Sequence, residues 1–179
     1  MAVADPIAQP VALALLECYR EQIADTINPP AQVCMRAGAV VNFLLSMTED
    51  ECCGGLAWVR VAQVYPTSGE DFPAADETPI QDWPNQWGVV LELGSARCVP
   101  VGTATHIPTC DQWTLVSSEL AADAAAMRRA ILCCLRKEIP YSLMSIGAWE
   151  PADIEGGCAA GTMTVTLSVD GLDCCPESP

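Results

Sequence analysis

The chain has 179 residues, 51% of them hydrophobic and 17% charged, with a mean hydropathy of +0.25; this fits one domain with a core of its own and excludes wholesale disorder. Eight Lys+Arg against 23 Asp+Glu leave a formal charge of −15, and Lys137 is the sole lysine, which excludes a basic footprint for a phosphate backbone and argues against docking on an anionic membrane. No apolar run reaches the roughly 18 residues of a spanning helix.

From the start, Met1 to Pro6 carries no basic region, and the apolar residues from Val11 to Leu16 are soon followed by Glu17, Arg20 and Glu21, a pattern unlike a signal peptide. Leu13, Leu16, Tyr19, Ile23 and Ile27 recur at spacings of three and four, and Asn28-Pro29-Pro30 then stops the pattern, so the spacing predicts a helix over 8–27. Gln32 to Arg36 is a short strand candidate, whereas periodicity does not assign the apolar run Val40 to Met47. Leu56 to Tyr65 alternates as a half-buried strand, with Val59 and Val61 on one face and Arg60 on the other. Gln86 to Arg97 alternates likewise, placing Trp87, Val89, Leu91 and Leu93 opposite Glu92 and Gly94, so the two form a long hairpin. The loop between them, 66–86, holds Pro66, Pro73, Pro79 and Pro84 among acidic residues, and loops of such length are usually functional or disordered.

A second irregular stretch runs from Cys98 to Gln112. From Thr114, with Ser117 or Ser118 as cap, an alanine-rich helix is expected to reach Glu138, with Leu120, Met127, Ile131 and Cys134 as its apolar stripe and Pro140 as its stop. Tyr141 to Trp149 reads as a strand and Glu150 to Gly161 as a Gly-rich turn. Thr162 to Val169 alternates strictly, and the end of the chain, 172–179, is expected to fray. Taken together, 1–179 reads as a single α+β domain in the order α-β-β-α-β-β, with two helices packed on one face of a mostly antiparallel sheet.

Little here points to catalysis. The one histidine, His106, sits in a Thr- and Pro-rich stretch as an ordinary loop residue, and no nucleophile elbow, phosphate loop or dinucleotide fingerprint occurs. The expectation is a non-enzyme with no catalytic, cofactor or metal residues. Adjacent cysteines (Cys52-Cys53, Cys133-Cys134, Cys174-Cys175) diverge on a strand or helix and so make poor chelating pairs. Cys133 and Cys134 read as small core residues, whereas the turn cysteines Cys52, Cys53, Cys98, Cys158, Cys174 and Cys175 lie where strand ends meet and are the candidates for disulfides. Trp83, flanked by Asp82 and Pro84, and Asp71 with Phe72 put aromatics on an acidic loop; with Trp87 on the strand that leaves it, they form the candidate interface.

Several segments together carry a resemblance. They are Cys52-Cys53-Gly54-Gly55 ahead of the strand from Leu56, the strand ending Arg97-Cys98-Val99-Pro100, the helix bearing Asp123, Met127 and Ala130, and the Gly156-Gly157-Cys158 turn before the last strand. Over roughly residues 8 to 175 the chain resembles the tail terminators of long-tailed actinobacterial phages, or the neighbouring head-to-tail connector proteins. It departs from them in a longer stretch from Asn42 to Glu51 and in Thr162-Met163, where a Trp-containing strand start is expected. The resemblance implies a small α+β subunit that closes into a six-membered ring on the last ring of the tail tube. Such a ring stops tube polymerisation and joins the head. The implied partners are copies of itself, the tail-tube protein on one side and a connector or stopper on the other, in a virion made in the host cytoplasm. A six-membered ring would carry a formal charge of about −90, so DNA would slide through without specific binding. The alternatives are a connector or stopper nearer the portal, and a small non-viral binding domain or enzyme.

Overall fold

A computed structural model of the chain describes residues 5–38, 54–68, 70, 72–75, 86–100, 102, 107–154 and 157–171. Helix α1 spans Ala8–Ala24. The Asp5 carboxylate opens it by accepting the Ile7 amide at 2.9 Å and the Ala8 amide at 3.2 Å, which satisfies donors that a first turn leaves bare. It ends three residues earlier than expected, because Thr26 turns back and both its amide (3.1 Å) and its hydroxyl (2.7 Å) bond the Ile23 carbonyl. The described strands are β1 (Gln32–Met35), β2 (Leu56–Thr67), β3 (Gln86–Cys98), β4 (Leu143–Pro151) and β5 (Cys158–Asp170). The run from Val40 to Met47 lies outside the described residues.

The five strands form one sheet in the order β1-β2-β3-β5-β4. The short β1 lies parallel to β2, and the other neighbouring pairs are antiparallel. The fold class is α+β, with helices on one face of a mostly antiparallel sheet; the expected order gains β1 as an extra strand. The hairpin pairs β2 with β3 from Leu56↔Ala96 to Thr67↔Gln86, with a register shift between Val61 and Gln63. Strand β2 therefore runs through Pro66, which was expected to open the loop. Beyond Val59 it has no β1 neighbour on its outer side, so a residue without an amide donor is tolerated there. Strand β5 likewise begins at Cys158 rather than Thr162. Its Ala159, Ala160 and Gly161 pair with Arg97, Ala96 and Ser95, and a Cβ at Gly161 would come within 2.2 Å of the Trp149 ring. The absent side chain makes room for that tryptophan.

The second helix, α2, spans Cys110–Arg129 and is capped by Thr109, not by Ser117 or Ser118. Thr109 and Gln112 cap each other: the Gln112 amide bonds the Thr109 hydroxyl at 3.3 Å and the Thr109 amide bonds the Gln112 side-chain oxygen at 2.9 Å. Ser118 sits inside the helix and returns its hydroxyl to the Thr114 carbonyl at 2.8 Å. The helix continues as a widened π segment over Ala130–Leu135 and a closing turn Arg136–Glu138. Ile139 is extended, as the residue before Pro140 must usually be.

The main core lies between the helices and one sheet face, where Leu15, Tyr19, Met127 and Ile131 meet Val59, Leu91, Leu93, Val165 and Leu167. The other face is also closed in part: Leu56, Trp58, Ala96 and Ala160 form a second buried cluster. Strand β2 is thus buried on both sides at Trp58 rather than half-buried. Gly94 permits this, since a Cβ there would fall 2.1 Å from the Trp58 ring. The helices are also joined covalently. Cys134 is not a free core thiol; it is bonded to Cys18 of α1, with the Cα atoms 5.6 Å apart and 116 residues between them in sequence. Closing so long a loop restricts the unfolded chain, so replacing both residues by Ala should lower stability by about 2–4 kcal/mol. Urea denaturation without reductant, so that the wild-type bridge stays intact, checks this; an unchanged midpoint would show that the bridge contributes nothing.

Candidate functional site

The polar centre of the molecule was not singled out as a site by the sequence. Odd-numbered residues of β3 face the helices, and in that series Leu91, Leu93 and Ser95 are followed by Arg97. On α2, Asp123 stands on the buried stripe with Ala124 and Met127. The two side chains meet between the layers. Arg97 Nε bonds Asp123 Oδ2 at 2.8 Å and Nη2 bonds Oδ1 at 2.6 Å, with side-chain exposures of only 3% and 0%. The third guanidinium nitrogen donates to the Asn28 carbonyl at 2.5 Å, and the Asn28 side chain reaches Glu119 at 3.0 Å. One arginine therefore ties β3, α2 and the segment after α1.

Two more residues complete this cluster. Gly55 has a positive φ of 77°, and a Cβ there would stand 3.0 Å from Arg97 Nη1 and 3.1 Å from the Pro30 backbone; only glycine fits both the space and the backbone. Tyr19 donates its hydroxyl to the Gly94 carbonyl at 3.3 Å. Burial pushes its pKa well above the usual tyrosine value and the Asp123 charge pushes the same way, against Arg97; the Ser95 hydroxyl beside it falls short of hydrogen-bond geometry. For Arg97 burial is the largest single influence and favours the neutral form, yet its bonds to Asp123 and the nearby Glu119 charge raise its pKa overall. A charged, fully engaged guanidinium of this kind holds structure and leaves no group free to exchange protons with a substrate.

On the opposite sheet face Arg60 forms a second two-pronged pair with Glu92, at 2.7 Å for each bond, and donates to the Gly38 carbonyl at 3.0 Å. The Trp58 indole adds a bond to Glu92 at 3.3 Å. The hydrogen bond with Glu92 holds the Arg60 pKa above its ordinary value.

The expected interface residues are spread rather than gathered. Asp71 and Trp83 lie outside the described residues. Phe72 is half-buried and precedes Pro73, whose carbonyl accepts the Tyr65 hydroxyl, so the described start of the long loop folds back onto β2. Trp87 is half-buried and packs against the main core, which leaves only part of its ring to a partner. Of the six turn cysteines, Cys98 and Cys158 are each disulfide-bonded; Cys52, Cys53, Cys174 and Cys175, like His106, lie outside the described residues. Cys34, Cys110 and Cys133 are free thiols, and the last two are exposed, so Cys133 is not a core residue.

Two shallow grooves flank α2. One, of about 490 Å³, runs along its outer side past Cys110, Trp113 and Ser117. The other, about 470 Å³, lies between α2 and β4, with Leu120, Ala124, Trp149 and Pro151 as walls and Arg128 at its rim. Neither groove brings together an acid, a base and a nucleophile, and no group of three or more metal-ligating side chains occurs among the described residues. No protein-family model matches the chain, and no curated protein matches it.

The central pair has a measurable consequence. Asp123→Asn should leave Arg97 buried without its counter-charge and destabilise the protein by about 3–5 kcal/mol, whereas the double replacement Arg97→Met/Asp123→Leu should cost much less. Thermal denaturation of the two singles and the double reads this directly; additive losses would show that the pair is not coupled.

Proposed function

We propose that this chain is the subunit of a ring that caps the tail tube of a long-tailed phage, ends its polymerisation and provides the surface to which the head is joined. The observation that supports this reading best is the convergence of its landmarks. Gly55 of the turn before β2, Arg97 of the segment that closes β3, and Asp123 of the second helix lie in three separate segments of the resemblance, and they meet in one buried cluster.

The remaining features agree with a structural role. The buried charges are consumed by each other, and the described grooves offer walls without a catalytic set. A formal charge of −15 suits a channel that lets DNA pass, because phosphates are repelled from an acidic lumen rather than held. Disulfides persist in oxidising surroundings, which fits a subunit that spends its working life in a released particle. The partners on this reading are further copies of the chain, the tail-tube protein and a connector or stopper, with no cofactor and no membrane. The acidic loop read from the sequence as 66–86, with Phe72 and Trp83, is assigned to the tube or to a neighbouring subunit.

Adding the purified full chain to polymerising tail-tube protein should shorten and narrow the distribution of tube lengths seen by electron microscopy. A chain lacking 70–82 should keep its circular dichroism and melting behaviour but lose the effect. Tubes indifferent to the full chain would overturn the terminator reading, and full activity of the shortened chain would overturn the role of the loop.

A further inference from the structure

Two of the described cysteines have partners that the described residues do not supply. Cys98 and Cys158 are each disulfide-bonded, yet the bridge with both ends among the described residues is Cys18–Cys134. They are thus not bonded to each other, although they stand opposite one another in the β3–β5 register. Both face away from the helices: Cys98 follows Ala96 by two positions and Cys158 precedes Ala160 by two, and those alanines belong to the buried cluster around Trp58. Of the eleven cysteines, Cys34, Cys110 and Cys133 are free thiols. The two partners therefore come from Cys52, Cys53, Cys174 and Cys175.

Reach separates these four. Strand β5 runs from Cys158 to Asp170, and at ~3.4 Å per residue its ends stand about 40 Å apart. Cys175 follows Asp170 by five residues, which extend to about 18 Å at most, and a disulfide spans at most about 7 Å between Cα atoms. Neither Cys174 nor Cys175 can therefore reach Cys158 or the Cys98 beside it. The other pair starts next to them. Continuing the register from Leu56↔Ala96 brings Gly54 level with Cys98, and the chain is held there: the Ala31 amide bonds the Gly54 carbonyl at 2.8 Å and Gly55 lies against the Arg97 guanidinium. Neighbouring strands are about 4.8 Å apart, so one residue ahead of Gly54 suffices to reach Cys98, and two suffice for Cys158 on the next strand. Adjacent cysteines have Cα atoms about 3.8 Å apart, below the roughly 4.4 Å at which disulfides begin, so they serve two partners more readily than each other. We infer that Cys52 and Cys53 are bonded one to Cys98 and the other to Cys158, a double staple that joins the ends of β2, β3 and β5 beside the Arg97–Asp123 pair. Cys52-Cys53-Gly54-Gly55, Arg97-Cys98-Val99-Pro100 and Gly156-Gly157-Cys158, three separate patterns in the sequence, are then one covalent unit.

Each bridge takes two protons and two electrons from its two thiols and passes them to a small-molecule disulfide such as oxidised glutathione, which becomes two thiols. Mass spectrometry of the full chain tests the staple. The chain is equilibrated with oxidised glutathione, alkylated in denaturant without reductant, and cut with trypsin and an Asp-specific protease. Cutting after Arg and before Asp leaves Cys52 and Cys53 in 50–60, Cys98 in 98–110, Cys158 in 153–169, and Cys174 and Cys175 in 173–179. The expected product is one species in which 50–60 is joined to both 98–110 and 153–169, and which falls into those three peptides on reduction. Cys174→Ser/Cys175→Ser should leave that species unchanged. A species that joins 98–110 directly to 153–169 without 50–60 would overturn the inference. So would a link from either of them to 173–179, or recovery of Cys98 or Cys158 alkylated or capped by glutathione.

Discussion

A single arginine sets the arrangement of the layers. Arg97 has nowhere to put its charge except against Asp123, and it can satisfy its third nitrogen only if the chain after α1 presents the Asn28 carbonyl. Burying both charges costs several kcal/mol per ion before their attraction is counted, so the pair adds less to net stability than its geometry suggests. What it does impose is uniqueness. A slip of α2 along the sheet by one turn, or of β3 by one residue, would leave a bare charge in the interior, and that penalty excludes the alternatives.

The rest of the packing follows from that frame. With β3 held, Gly94 and Gly88 offer flat spots on which the Trp58 and Tyr65 rings lie, and the sheet is thereby closed on the side away from the helices near Trp58. With α2 held, the π segment brings Cys134 to Cys18 and the two helices become one covalent layer. On the proposed reading, a ring subunit would need that covalent stiffness more than it needs moving parts.

Much of the framework was legible because it is written in local periodicity. The β2–β3 hairpin and the core of β5 alternate with period two, and both helices carry stripes at three and four, although Leu13 and Ile27 of the series expected for α1 are exposed and only Leu16, Tyr19 and Ile23 enter the core. The misplacements come from interactions that such periods do not encode. Thr26 ends α1 early by bonding Ile23, and Ala159-Ala160-Gly161 joins β5 in spite of weak strand preference because Trp149 needs the space above it. The cap at Thr109 was available as a Thr-x-x-Gln pattern. The central pair also left a trace: Arg97 falls on the helix-facing side of an alternating strand, and Asp123 stands three residues after Leu120 and four before Met127 on an apolar stripe. Each is a charge where only apolar residues belong, and two such misfits on elements that pack together imply each other. The Cys18–Cys134 bridge left no such trace, since contact between residues 116 positions apart depends on how the helices pack.

The claim that most needs a direct measurement is that the subunit ends tail growth. Electron microscopy of lysates from a phage whose copy of this gene is disabled, with the protein supplied in trans as control, measures it. Overlong tails without heads, returning to normal length when the protein is supplied, are the predicted result. Normal-length tails lying apart from filled heads would move the protein to the connector side of the neck, and particles indistinguishable from wild type would contradict a structural role in the tail altogether.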